Sequence, residues 1–184
     1  VPADPRLVTL EETFPNIDRI KSLVTYTGYI AEHLSNDKPI PETDEVLVSA
    51  GSGVAGQRLM ETALACRRLT PLRNHTWRLL VGSRGAYEYF RARLDEFGDG
   101  VIIEPARSDF PSMLRGCALS ISQGGYNTIV ETLQAKARAV IVPFADGDET
   151  EQTMRAELLV RRGLIEMVPE SELSKETLAA ATVA

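Results

Sequence analysis

Val46-Leu47-Val48-Ser49-Ala50-Gly51-Ser52-Gly53-Val54-Ala55-Gly56 decides how the rest of the chain is read. A short apolar run is followed by three glycines at GxGxxG spacing. Then, over 57–69, Leu59, Met60, Ala63, Leu64 and Cys66 fall on one stripe. The pattern is that of a buried strand, a tight turn and an amphipathic helix. Glycines in such a turn let the backbone approach an anion closely. The helix start adds unpaired N–H groups and the positive end of the peptide dipole. A dinucleotide site built this way also needs an acid about 20 residues on, at the end of the second strand. Here that strand ends Val81-Gly82-Ser83-Arg84, without one. NAD is therefore disfavoured. An NADP site using Arg84 and a ligand-free turn stay open as alternatives.

Outward from this unit the same rhythm repeats. Apolar runs at 77–81, 101–103, 118–122, 139–142 and 165–168 read as strands. Between and after them, 87–97, 110–114, 126–136, 151–162 and 175–181 read as helical, with Gly163 as a C-cap. Strands bracketing helices predict an α/β fold, a parallel sheet with helices on both faces, for which a Rossmann-like arrangement is the default. Residues 1–45 break the rhythm. Pro2, Pro5, Pro15, Pro39 and Pro41 punctuate them, 35–41 reads as a loop, and only 23–26 could make a strand. They are read as an interdomain segment with a remnant of a preceding domain, and 46–184 as the ligand-binding domain. The start at Val1 fits a piece of a longer protein.

Composition narrows the function. The chain has 184 residues, 43% hydrophobic and 25% charged, with a formal net charge of −6. That size supports a real core. The scattered, acidic balance argues against nucleic-acid binding, which wants a basic patch, but not against one diphosphate held by backbone amides. Cys66 and Cys117 lie in apolar-periodic segments and read as buried thiols, which suits a cytoplasmic protein. No apolar run approaches the ~20 residues of a membrane span, and the N-terminus lacks a signal-peptide pattern.

A second glycine turn follows another strand: Ser120-Ile121-Ser122-Gln123-Gly124-Gly125-Tyr126-Asn127-Thr128. Two such turns in one sheet can converge on the crevice beyond the strand ends. The helix behind it buries Ile129, Val130 and Leu133, and puts Thr128 and Glu131 on the opposite side. Glu131 is either a solvated residue near a helix start or a carboxylate that accepts hydrogen bonds from a sugar diol. The loop Phe144-Ala145-Asp146-Gly147-Asp148-Glu149-Thr150-Glu151-Gln152 is acid-rich but lacks EF-hand spacing, so no metal site is expected. His33 and His75 read as surface histidines in loops.

Ser122-Gln123-Gly124-Gly125-Tyr126-Asn127-Thr128-Ile129-Val130-Glu131-Thr132-Leu133, then Ala139-Val140-Ile141-Val142-Pro143-Phe144, then Glu151-Gln152 resembles the C-terminal domain of glycosyltransferase family 28. The resemblance covers about residues 46 to 170, and Tyr26-Thr27-Gly28-Tyr29 is similar to the interdomain segment of a bacterial group of predicted glycosyltransferases. It implies one half of a GT-B fold, holding the donor of a hexosyltransferase. The donor would be a sugar nucleotide, UDP-linked by expectation. Gly51, Ser52 and Gly53 would face the diphosphate, with Gly124, Gly125 and Thr128 on the same pocket. Glu131 would take the ribose hydroxyls, Ala106 or Arg107 would border the base, and Glu151 and Gln152 would reach the donor sugar. The peptidoglycan member of the family has two glutamines at this last place; here the first is Glu151. The resemblance implies no metal or other cofactor. The acceptor, the general base and any peripheral membrane contact would belong to a preceding N-terminal domain, so no catalytic residue is assigned. A stand-alone donor subunit, or a GT-B epimerase or hydrolase, are the alternatives.

Overall fold

A computed structural model describes residues 4–5, 9–14, 16–28, 40–50, 54–144 and 151–184. Gly51, Ser52, Gly53, His33 and the acids of 146–149 lie outside these residues, as does the loop read over 35–39.

Among the described residues, six strands form one parallel sheet: β1 (Glu45–Ala50), β2 (Thr76–Val81), β3 (Val101–Pro105), β4 (Leu119–Ser122), β5 (Ala139–Ile141) and β6 (Glu166–Met167). Their order is β3-β2-β1-β4-β5-β6. This is the doubly wound order, with its reversal between β1 and β4. The helices are α1 (Leu10–Thr13), α2 (Val54–Cys66), α3 (Arg84–Ala92), α4 (Leu94–Phe97), α5 (Phe110–Gly116), α6 (Tyr126–Ala135), α7 (Glu151–Arg161) and α8 (Lys175–Ala181).

Side chains alternate across a strand, so each strand feeds two cores. On one face Val46, Val48, Trp77, Leu79, Ile103 and Ile121 pack under Leu59, Met60 and Ala63 of α2, Phe90 of α3 and Leu178 of α8. On the other, Ala139 and Ile141 pack under Ile129 of α6 and Ala156 and Leu159 of α7. Helices therefore cover both faces, as the rhythm predicted. Residues flanking α7 tie down its end: Gly163, at φ +66, donates to the Val160 carbonyl, and Leu164 donates to that of Leu159.

Some boundaries differ from the sequence reading. The helix expected over 87–97 begins earlier, because the Ser83 side chain caps it by accepting from the Ala86 N–H. It breaks at Arg93, whose ψ of 10 leaves the helical range. The α2 helix ends at Cys66 and tightens into a 3₁₀ turn over Arg67–Leu69. The stretch 23–26 forms no strand: Leu23 ends a 3₁₀ turn, and the described residues pair only from Glu45 onward. Its bonds run elsewhere: the Val24 N–H donates to the Lys21 carbonyl, and the Tyr26 hydroxyl accepts from the Leu10 N–H and donates to Glu11.

Cys66 is buried and Cys117 largely so, and the described chain has no disulfide between them. Burial pushes the Cys66 thiol up to about 12 and that of Cys117 up to about 11. The thiolate is the nucleophile. Iodoacetamide at about pH 8 is expected to leave both unlabelled in the folded chain and to label both in urea, read by mass spectrometry. Rapid labelling of Cys66 in the folded chain would contradict this packing.

Candidate nucleotide-binding site

A cavity of about 720 Å³ opens beyond the carboxyl ends of the strands, at the reversal between β1 and β4. Ser49 and Ala50 end β1 at its floor, and Ser49 stands in register with Ser122 on β4. Ala55 and Gly56, in the first turn of α2, form one wall. Gln123, Gly124, Gly125 and Thr128, the turn into α6, form the next. Phe144 and Gln152 close the side toward α7, where the Gln152 Oε1 accepts from the Phe144 N–H at 3.3 Å. Leu80, Ala106, Arg107 and Phe110 line the far end. The starts of α2, α6 and α7 thus meet at one space, with Phe110 at the start of α5 beside them. Each brings N–H groups without intrahelical partners and a partial positive charge.

Gly124 explains why the second turn is glycine. Its φ is +74, and a Cβ there would lie 2.4 Å from Cγ2 of Ile141 on β5. The left-handed backbone and the missing side chain bring the turn down onto the sheet and leave the α6 start facing the cavity.

Among the residues named from sequence, Gly124, Gly125, Thr128, Ala106, Arg107 and Gln152 line this space. Glu131 does not; it is half-buried on α6, three residues after Thr128 and on the same side of the helix. Glu151 does not either: its carboxylate pairs with Arg155, one turn along α7. Arg155 is buried and lies 5.5 Å over the Tyr126 ring, joining α7 to the start of α6. Arg84 also lies off the cavity, its side chain 91% exposed and paired with Glu88. His75 sits elsewhere, 3.9 Å from Asp44.

Sequence reasoning overlooked Leu80 and Phe110. Leu80 lies at the carboxyl end of β2 and Phe110 opens α5, the helix after β3; both positions fall at the carboxyl edge of the sheet, where such folds bind ligands. Arg107 is the main charge at that end. Its guanidinium donates to both oxygens of Asp109, at 2.8 and 2.7 Å, and to Glu104 at 3.2 Å. These bonds raise its pKa further and hold the Asp109 carboxyl below the usual range. Burial works to raise Glu104, but hydrogen bonds from Arg107 and Arg78 outweigh it and leave that carboxyl lowered. No cluster of metal-ligating side chains exists among the described residues.

The chain is similar to N-acetylglucosamine transferases. It is 28% identical over 138 residues to the UDP-N-acetylglucosamine–N-acetylmuramyl-(pentapeptide) pyrophosphoryl-undecaprenol N-acetylglucosamine transferase of Exiguobacterium sibiricum, covering 74% of this chain and 38% of that one. It is 32% identical over 103 residues to the enzyme of the same name from Albidiferax ferrireducens, covering 55% and 26%. The chain thus spans well under half the length of these relatives. Among solved structures, the glycotransferase of kitacinnamycin superposes with a TM-score of 0.68 at 21% identity, over 92% of this chain and 42% of that one. MurG of Acinetobacter baumannii gives 0.61 at 19%, over 87% and 48%. The spinosyn rhamnosyltransferase SpnG complexed with thymidine diphosphate gives 0.63 at 18%, over 86% and 43%. These place the fold among GT-B glycosyltransferases, as one Rossmann-like half. The profile of the glycosyltransferase family 28 C-terminal domain matches residues 45–184, and the chain belongs to that family.

Proposed function

We propose that this chain is the donor half of a glycosyltransferase and that its cavity takes a nucleoside diphosphate sugar, UDP-linked by preference. The convergence of the α2, α6 and α7 starts on one crevice carries the reading, since a diphosphate needs N–H donors and positive potential. Gly124, Gly125 and Thr128 take the diphosphate, together with the Gly51-Ser52-Gly53 turn. Ala106 and Arg107 border the base, Glu131 takes the ribose, and Gln152, with Glu151 beside it, reaches the sugar. UDP stands in the names of the curated relatives; SpnG with thymidine diphosphate shares the fold. The acceptor and the general base come from a preceding domain, which also makes any membrane contact, in the cytoplasm.

Titration calorimetry with UDP and NADPH tests this. UDP is expected to bind and NADPH not to, because Arg84 points its charge into solvent beside Glu88. Incubation with UDP-sugars and acceptors is expected to give no multi-turnover transfer, because the chemistry needs the cleft between two domains. NADPH binding without UDP binding would replace the donor reading with a dehydrogenase one. Robust transfer by these 184 residues alone would remove the need for a second domain.

A further inference from the structure

A line of five charged side chains crosses three strands and ends at the cavity. Arg78 on β2 stands in register with Leu47 on β1 and Ile102 on β3. Two residues back on β1 is Glu45 and two forward on β3 is Glu104, both on the face that Arg78 occupies. Arg78 grips both Glu45 oxygens, at 3.2 and 2.6 Å, and reaches one Glu104 oxygen at 2.7 Å. The other Glu104 oxygen receives Arg107 at 3.2 Å, and Arg107 is forked on Asp109. Side-chain exposure rises from 14% at Arg78 through 28% at Glu104 to 41% at Arg107, so the line runs from the sheet to the cavity rim. Only Arg107 of the five lines the cavity.

We propose that Glu45, Arg78, Glu104 and Asp109 act as positioning residues that lock Arg107 as a donor-only wall, selecting a nucleobase with a carbonyl oxygen at the facing edge over one with an exocyclic amine. The proposal rests on the donor reading above and adds what chooses the base. Three of the five guanidinium N–H groups are engaged by Asp109 and Glu104, which leaves one on each terminal nitrogen. Arginine has no acceptor to offer. A keto oxygen at C4, as in uracil and thymine, meets those donors. The C4 amine of cytosine sets donor against donor, and a rotating arginine could evade that clash where a clamped one cannot. Leu80, Ala106 and Phe110 beside it supply the apolar surface for a ring.

The test compares UDP with CDP, which share the ribose and diphosphate, by calorimetry on the 184-residue chain. Wild type is expected to prefer UDP by about tenfold, the scale of one hydrogen bond to a charged group. Arg107→Ala should bring the two within about twofold. Glu104→Gln should lower the preference by about threefold, and should change nothing further once Arg107 is alanine. Asp109→Asn, at an exposed position, repeats the test should Glu104→Gln perturb folding. Equal binding of UDP and CDP by wild type would overturn the proposal and leave the donor reading standing. So would a Glu104→Gln effect that weakens both nucleotides alike with or without Arg107, the mark of a merely structural role. Failure of every nucleoside diphosphate to bind would overturn the donor reading and this proposal with it.

Discussion

Gly124→Ala is expected to cost about 2–5 kcal/mol of folding stability and to abolish nucleotide binding. A left-handed backbone costs a residue with a Cβ about 1–2 kcal/mol, and overpacking a filled site costs about 1–3 kcal/mol more. Both apply here, because φ is +74 and the added carbon would lie 2.4 Å from a methyl of Ile141. Ile141 is fully buried between β4 and β6, so it has nowhere to move. The turn must lift instead, which carries the α6 start away from the cavity. Against a typical total of about 5–15 kcal/mol the loss is large. For a chain of this size it lowers the melting temperature by roughly 4–20 °C. Gly125→Ala is the control: its φ is −54 and a Cβ there meets nothing within 4 Å. That variant should melt within about 2 °C of wild type while weakening UDP binding, because its methyl enters the cavity. Circular-dichroism melting and UDP titration read both. Equal melting of the two variants would mean that the turn is not pinned against β5.

Glu131→Ala should weaken UDP binding by about tenfold or more with almost no change in melting. A carboxylate can accept from both ribose hydroxyls, and hydrogen bonds to charged groups contribute about 1.5–3 kcal/mol. The core face of α6 is carried by Ile129, Val130 and Thr132, which the substitution does not touch. Alanine is also the better helix former. Glu131 does not line the cavity, so on the donor reading a ligand would have to reach past Thr128 to meet it. Gln152→Ala should instead keep UDP affinity and blunt the choice among UDP-sugars. Unchanged UDP affinity in Glu131→Ala, with unchanged melting, would take Glu131 out of the site.

How much of this was legible follows from which forces are local. The strands 46–50, 77–81 and 101–103 were readable because a two-face buried strand is a short apolar run, and β1, β2 and β3 begin and end within two residues of it. The glycine turn before α6 was readable because Gly124 answers to a backbone angle, which is local. The strand order was not, since pairing β1 with β4 joins residues some seventy positions apart. The same holds for the Glu45–Arg78–Glu104 line: each residue looks like an isolated charge in a strand until the register sets them diagonally across three strands. Gln152 could be placed by motif, but the turning of Glu151 toward Arg155 could not. That pairing goes with Arg155 lying over the Tyr126 ring, a contact between helices that no local pattern announces. The break at Arg93 left no mark, because no glycine or proline signals it.

The reversal between β1 and β4 also fixes when during folding a ligand can first be held. The segment from β1 to β3 is a unit of neighbouring strands that zips through near-sequential contacts, and β4 to β6 is a second such unit. The crevice is the seam between them. Joining the units closes a long loop, so its entropy is spent before the seam repays it, and such pairing is intrinsically slow. A nascent chain that has emerged only as far as Arg115 holds the Ala106 and Arg107 end of the crevice and lacks the α6 turn entirely. On the donor reading proposed above, affinity for the nucleotide would therefore be acquired in the last assembly step, and a ligand present during folding would latch the joined units while leaving the first one untouched.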